Sequence, residues 1–365
     1  MQIKKLVLQQ FRNFSKTELV IKKPITVFVG NNGQGKTNLV ESLVFLATAR
    51  SFRTRDDLAL VQKSQEVAVI EALLDTGTNL KVAISSKGKY LQVDRNVIKR
   101  MTDFIGYCNV VLFSPDDISF FTTSRKVRRQ AIDVELSKIS KEYMNLLSEY
   151  SKILTERNAL LKGESIDKVY FELVTQSLVD KMVPIIKQRI SLIAYLEPQI
   201  NKVYQYLTQS TSQIKINYVG PVNDLIDSND QLNKKLSQSY SRDLFMKATQ
   251  VGIHRDDYVF TIDGDLVGDV ASQGQRRLLM VALKIAIVML VKEKTGNYPI
   301  LCLDDLFSEL DSVRRQRVLK LLPESVQVFI TTTDLSFIDT HRDIQIVMVK
   351  NGEISIDREV QYVNN

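Results

Sequence analysis

Cysteine and histidine are almost absent from this sequence, which has two of each in 365 residues: Cys108, Cys302, His254 and His341. The cysteines stand far apart, with no Cys or His partner at metal-ligand spacing. Neither a disulfide framework nor a zinc site is expected, and a reducing compartment fits. Cys302 lies in an apolar run and is expected to act as a small core residue. Neither histidine is expected to serve as a catalytic base. His254 sits among Arg255 and two aspartates with no nucleophile beside it, so a structural hydrogen bond is its expected role. Long hydrophobic runs are also missing. The longest, Leu278–Val291, is too short for a bilayer and contains Lys284, so a buried helix is expected there and no membrane partner. The first residues alternate with lysines and lack the apolar core and small-residue cleavage site of a secretory signal. Export is not expected, and a cytoplasmic location follows. No internal repeat or low-complexity segment is present.

Positive charge, in contrast, is in excess. The formal net charge is +7 and the pI is near 9.1, which favours anionic partners, with nucleic acid the commonest; the alternative is a basic but solvated surface. With 44% hydrophobic and 25% charged residues, the chain can bury one large core or two ordinary ones.

From Gln2 to about Lys99 the pattern is strand-rich. Apolar or alternating runs occupy Ile25–Val29, Glu66–Leu74, Asn79–Ile84 and Tyr90–Val97, with turn residues at Asp75–Gly77 and Lys87–Gly88. Thr37–Thr48 breaks the pattern, because Leu39, Leu43, Leu46 and Ala47 fall at helical spacing. Residues 124 to about 207 show long helical periodicity with few breakers. After a polar stretch from Pro221 to Asn233, runs at Tyr258–Ile262, Pro299–Leu303, Val326–Ile330 and Ile344–Val349 return to an α/β texture. The expected architecture is a discontinuous α/β nucleotide domain, residues 1–123 and 251–365, with a helical insertion over 124–250.

Three segments carry chemistry. Gly30-Asn31-Asn32-Gly33-Gln34-Gly35-Lys36-Thr37 fills the pattern G-x-x-x-x-G-K-[ST] between a buried strand and a helix. In that setting backbone N–H groups cradle phosphates, Lys36 neutralises the β- and γ-phosphates of ATP, and the Thr37 hydroxyl ligates Mg²⁺. Ile300-Leu301-Cys302-Leu303-Asp304-Asp305 is an apolar strand ending in two carboxylates. Asp304 is expected to hold Mg²⁺, and Asp305 to orient or deprotonate the attacking water. Ser272-Gln273-Gly274-Gln275 opens a long apolar helix from Arg276 to about Lys292. It is either a second phosphate grip, for the nucleotide of another subunit, or an ordinary N-cap.

This order, followed by Ser308-Glu309-Leu310-Asp311, resembles the ABC-type ATPase heads, a group of transporter motors and chromosome and repair ATPases. Within it, Leu8-Gln9-Gln10-Phe11-Arg12-Asn13-Phe14, Ser114-Pro115-Asp116-Asp117, Gly252-Ile253-His254-Arg255-Asp256-Asp257 and Ser272-Gln273-Gly274-Gln275-Arg276-Arg277 resemble the bacterial RecF family over essentially the whole chain. Transporter heads have a shorter interval from P-loop to the Asp-Asp strand, and chromosome ATPases insert a far longer coiled coil.

The resemblance implies an α/β, ABC-ATPase-like P-loop head with a strand-rich N-terminal part and an inserted helical lobe. It implies that Ser272 contacts the ATP of a partner copy, that Ser308–Asp311 is the loop crossing an ATP-dependent homodimer, and that Arg12 reaches the phosphates. Thr331-Thr332-Thr333-Asp334 stands where ABC heads carry a histidine, so a threonine or aspartate would sense the γ-phosphate. Arg50, Arg53, Arg55, Arg125, Lys126, Arg128 and Arg129 become candidates for DNA contact, with Arg314–Arg317 a further basic cluster. The implied function is an ATP-dependent, sequence-independent clamp on duplex, gapped or junction DNA, nucleoid-associated, with slow hydrolysis and RecR and RecO as partners. The rivals are an ABC-type transporter motor and a nucleotide-gated scaffold that does not hydrolyse ATP. Two departures bear on loop geometry: Ile253 replaces the family's proline, and Thr122–Arg129 lacks the usual glycine-proline punctuation.

Overall fold

The computed structural model describes residues 1–222, 225–335 and 343–356, and the chain divides into two compact units. The first holds Met1–Asp117, Tyr206–Gln209 and the described residues from Met280 onward; the second holds Ile118–Gln205 and the described residues of Ser210–Leu279. No helix among the described residues is long and apolar enough to cross a membrane.

Two six-stranded sheets organise the described residues of the first unit. One is antiparallel, in the order Phe14–Val20, Ile3–Phe11, Val67–Leu74, Asn79–Ser85, Gly88–Val93, Asn96–Ile98. Its strands alternate, burying Ala68, Ile70, Ala72 and Leu74, then Leu80, Val82 and Ile84, as a sheet with one covered face must. The run Tyr90–Val97 is not one strand: Asp94 adopts φ 53°, and the left-handed turn there folds it into two.

The other sheet runs Glu353–Ile356, Ile344–Lys350, Ile25–Val29, Val328–Thr332, Ile300–Leu303, Val110–Phe113, parallel except for the first pair. Ile25–Val29, Val328–Thr332 and Ile300–Leu303 are buried at every position, the pattern of parallel strands covered on both faces. The helix Lys36–Thr48 shares one hydrophobic core with both sheets, placing Leu39, Leu43, Phe45 and Leu46 among Phe28, Phe329, Ile70 and Val82. Each large side chain buried there contributes on the order of 1.5–3 kcal/mol.

The second unit contains the helices Arg125–Ile139 and Lys141–Leu160, most of Lys168–Thr208, and Ser228–Met246. It also contains a three-stranded antiparallel sheet, Asp265–Leu266, Asp257–Ile262, Ile214–Val219. It extends past residue 250, the expected end of the insertion, because Asp257–Ile262 pairs with Ile214–Val219. The polar pattern around Asn233 concealed the helix Ser228–Met246, whose buried residues are only Ser228, Leu232, Leu236 and Asp243.

Buried ion pairs tie this unit together. Arg157 and Asp243, at 1% and 0% exposure, meet at 2.8 Å. Arg157 also donates to Thr249 Oγ1 at 2.7 Å and Thr175 Oγ1 at 3.0 Å, and Asp243 accepts from Gln250 N at 2.8 Å. Arg189, also 1% exposed, pairs with Asp256 at 2.6 Å and Asp133 at 2.7 Å.

Removing one partner strands a buried charge. Asp243→Ala is expected to lower unfolding stability by about 3–5 kcal/mol. In urea unfolding followed by helical circular dichroism, Asp243→Leu combined with Arg157→Leu should cost less than Asp243→Ala alone.

Candidate nucleotide-binding site

The P-loop leaves the parallel sheet at the C-terminal end of Ile25–Val29 and enters the helix at Lys36. Its backbone is shaped by two glycines that tolerate no side chain. A Cβ at Gly30 would lie 2.2 Å from Val349 O, and Gly35, at φ 118°, would place one 2.7 Å from Asn13 Nδ2. The loop is therefore clasped by its neighbours: Asn13 Nδ2 donates to Gln34 O at 2.8 Å, and Asn351 N donates to Gln34 Oε1 at 2.7 Å. Lys36, 7% exposed, turns into the loop and donates to Gly30 O at 2.6 Å and Asn31 O at 3.0 Å. Burial lowers its pKa against the opposing pull of Asp305 and Asp304.

Asp304 and Asp305 follow the end of the strand Ile300–Leu303. Thr37 Oγ1 donates to Asp304 Oδ1 at 3.1 Å, and Thr331 Oγ1 donates to the same oxygen at 2.7 Å. Asp304 is 4% exposed; burial raises its pKa, while the two threonine hydrogen bonds oppose the shift. The Thr331 hydroxyl also accepts from Asp305 N at 2.9 Å, fixing Asp305 in a left-handed conformation at φ 51°. Asp305 Oδ1 is buried and has no hydrogen-bond partner among the described residues. A cavity of about 260 Å³ is lined by Asn32, Gly33, Gly35, Lys36, Thr37, Asn38, Arg53, Asp305 and Thr331. One hydroxyl and one carboxylate beside an open polar cavity suit Mg²⁺, which takes few protein ligands and completes its shell with phosphate oxygens and water.

Of the other sequence candidates, Arg12 is turned away from this cavity. Its Nε and Nη2 grip Glu41 at 2.9 and 2.8 Å, and its Nη1 donates to Ala59 O at 2.8 Å. Arg53, expected among the DNA contacts, lines the cavity and is exposed, as are Arg50 and Arg55. Thr331 lies in the cavity wall; Thr332 is turned to hold Asp334, donating to its carbonyl at 2.8 Å. Ser308 and Asp311 are exposed. Ser308 Oγ donates to Asp305 O at 2.7 Å, and Asp311 caps Ser312–Leu321 by accepting from Arg314 N at 2.8 Å. Arg317 donates to Leu207 O at 3.1 Å.

In the second unit, Ser272 and Gln275 form a reciprocal cap. Gln275 N donates to Ser272 Oγ at 3.2 Å, and Ser272 N donates to Gln275 Oε1 at 2.9 Å. This is a capping box at the start of Gln273–Thr295. Arg125 and Lys126 are exposed. Arg128 forks onto Asp257 at 2.8 and 2.7 Å, and Arg129 donates to Asp256 O at 2.6 Å. Ile253, in place of proline, is fully buried. His254 Nε2 faces Thr249 O at 3.0 Å and Nδ1 faces Tyr150 Oη at 2.6 Å. A carbonyl only accepts, so Nε2 carries the proton and Nδ1 accepts from the tyrosine. Burial lowers the pKa of His254 to about 4, which keeps it neutral. His341 lies outside the described residues.

The sequence did not single out Asn38, Asn13 or Glu41. Glu41 left a signal: it stands four residues after Thr37 and is the one acidic residue of the same helix.

A family model described as the RecF/RecN/SMC N terminal domain matches residues 2–355. The DNA replication and repair protein RecF of Streptococcus thermophilus is 35% identical over 361 residues, covering 97% of this chain and 98% of its own length. That of Streptococcus suis is 36% identical over 362 residues, covering 97% and 99%. A solved structure of the recombination mediator protein RecF with ATP, described in the RecFOR pathway, is similar at TM-score 0.90 and 30% identity over 97% of each chain. An SMC head bound to the C-terminal winged-helix domain of ScpA, 16% identical over 98% of this chain and 97% of its own, has TM-score 0.56 and shares the fold.

Thr331 bridges the two carboxylate positions, so Thr331→Val should loosen Asp305 without touching the phosphate cradle. Single-turnover hydrolysis is expected to slow about tenfold or more while ATP affinity changes less than about threefold. An unchanged rate would show that the hydroxyl does not hold the site.

Proposed function

Because this chain belongs to the RecF family of DNA replication and repair proteins, within the RecF/RecN/SMC ATPases, we propose that it is an ATP-switched clamp on DNA, assembled from two copies. The observation that carries this is the 3.1 Å bond from Thr37 Oγ1 to Asp304 Oδ1, which joins the P-loop and the carboxylate strand at one open polar cavity. Lys36 and the P-loop N–H groups bind the β- and γ-phosphates. Thr37 and Asp304 hold Mg²⁺, which supplies the charge that neutralises those phosphates. Asp305, with its unpartnered buried oxygen, accepts the proton of the attacking water and orients it. Thr331, whose one O–H is donated to Asp304 and whose oxygen accepts from Asp305 N, acts on the γ-phosphate through these two residues where ABC heads use histidine.

Ser272 and Gly274 of a partner copy complete the site. In the capping box the Ser272 oxygen accepts, so its O–H remains to donate to a phosphate. A methyl at Gly274 would come no nearer than 4.0 Å, to Ser272 Oγ, so the chain's own packing does not require glycine in this helical turn, where it costs about 1 kcal/mol relative to alanine. Close approach of an external group is a reason for it. Ser308, bonded to Asp305 O, and the exposed Asp311 meet the partner copy.

DNA is gripped through its backbone, with Arg50, Arg55, Arg125 and Lys126 as the exposed contacts; sequence plays no part, and affinity falls steeply with salt. Arg128 and Arg129 position that segment through Asp257 and Asp256. At the level of the family, the partners are DNA and the RecR and RecO proteins of the RecFOR pathway.

The clamp is tested by phosphate release in a single turnover, with and without duplex DNA. DNA should stimulate the native chain and fail to stimulate Asp305→Asn; absence of turnover in the native chain would favour a non-hydrolysing scaffold. Assembly is tested by sedimentation, which should give a dimer with ATP and mostly monomer with ADP. Ser272→Arg should abolish the ATP-dependent dimer; if it dimerises like the native chain, Ser272 does not act in trans.

A further inference from the structure

Glu41 has more partners than a structural ion pair needs. Its side chain is 0% exposed and faces two arginines, Arg12 at 2.8 Å and Arg53 at 3.4 Å. Arg12 alone, with its two-pronged grip, neutralises the carboxylate. Yet Ser51 Oγ also donates to Glu41 Oε1 at 2.5 Å, and the same hydroxyl accepts the backbone N–H groups of Arg53 at 3.0 Å and Thr54 at 3.1 Å. Glu41 is thus tied to Arg53 twice, once through the side chain and once through Ser51 to the backbone. A third tie comes from Asn38 Oδ1, which accepts from Arg53 Nη1 at 2.7 Å while Asn38 Nδ2 donates to Asn13 at 2.8 Å.

Without these ties Arg53 has every reason to leave. Its side chain is 43% exposed, it belongs to a loop, and its rotamer entropy favours solvent. Held as it is, it shares a cavity wall with Lys36, Asp305 and Thr331, the residues to which the proposed function gives the terminal phosphate and the attacking water. The cluster of two guanidiniums and one carboxylate keeps a net positive charge at that wall. If Glu41 lost its charge, Arg12 and Arg53 would repel each other at close range, and the more exposed of the two would swing out.

We infer that Glu41 is a positioning residue for nucleotide recognition: with Ser51, it holds the Arg53 guanidinium toward the terminal phosphate of ATP, and Arg12 neutralises the remaining charge of Glu41. Arg12 therefore acts on the nucleotide at second hand, through Glu41 and Arg53. The inference rests on the nucleotide-site reading above, and the experiment separates the two.

Affinity for a fluorescent ATP analogue and for its ADP counterpart is measured with Mg²⁺ on the full chain, alongside steady-state hydrolysis and thermal melting. If the native chain fails to bind the ATP analogue, the nucleotide site itself is wrong. If it binds, Glu41→Gln is expected to weaken the ATP analogue about tenfold and the ADP analogue less than about threefold. Arg53→Ala should give the same pattern, and Glu41→Gln in the Arg53→Ala background should cost nothing further, because a residue acting through another loses its effect when the other is gone. Ser51→Ala, which leaves both charges in place, should weaken the ATP analogue at least about threefold and answers the question should Glu41→Gln fail to fold. Native-like ATP binding in Glu41→Gln or in Ser51→Ala overturns the inference, and so do independent losses that multiply in the double variant.

Discussion

The hydrogen bond from Thr37 to Asp304 joins residues 267 positions apart, and the first unit is built so that this bond can form. Its two ends leave the same edge of the parallel sheet. Ile330 registers with Val27 on one side and with Leu303 on the other, and Thr332 registers with Val29. Gly30 and Asp304, each the next residue in its chain, therefore emerge at the carboxyl ends of strands separated by a single strand, where open α/β sheets place their ligands. The strand between them ends in Thr331 and Thr332, and Thr331 fills the gap with a hydroxyl that bonds both carboxylate positions. Sheet register, loop geometry and charge placement thus converge on one carboxylate oxygen. The cost of burying Asp304 is offset because two hydroxyls already point at it.

How much of this was legible in the sequence depends on the range of the interaction. The P-loop and the Asp304–Asp305 strand were legible because their chemistry is local: the glycines, the lysine and the following helix are contiguous, and a buried parallel strand is a continuous apolar run. Alternation gave the antiparallel strands Val67–Leu74 and Asn79–Ser85 for the same reason; it marked no run at Ile3–Phe11, Phe14–Val20 or Ile214–Val219, and it ran through the left-handed turn at Asp94 inside Tyr90–Val97. Pairing between distant strands was not legible. Asp257–Ile262 had the texture of the nucleotide domain, and only its partner, Ile214–Val219, assigns it to the other unit. The helix Ser228–Met246 was hidden because it buries too few apolar side chains to show a stripe.

The arginines show the same limit more sharply. Net charge says that cations are present, and spacing says where they cluster, but neither says what each one faces. Arg128 is occupied by the Asp257 carboxylate, and Arg157 and Arg189 are buried against carboxylates. A count of basic residues overstates the charge available to an external phosphate, because each such pair removes one cation from the surface while stabilising the fold. Arg12 and Arg53 look alike in sequence, one beside a turn and one in a loop. Glu41 distinguishes them by holding the first with two bonds and the second with one.

That difference matters for how a nucleotide could be sensed. Glu41 holds its two guanidiniums unequally, Arg12 with two bonds and Arg53 with one long one, so the tighter pair fixes the frame and the weaker one stays the more adjustable. Arg12, 19% exposed and doubly bonded, is the frame. Arg53, more exposed, has Nη1 committed to Asn38 at 2.7 Å and lies only at the margin of hydrogen-bonding range from Glu41. Ser51 keeps its backbone in place, and Glu41 and Asn38 keep its side chain at the cavity wall. On the proposed reading a terminal phosphate therefore meets a guanidinium already held in position, and the tight Arg12 pair keeps Glu41 where it can hold it.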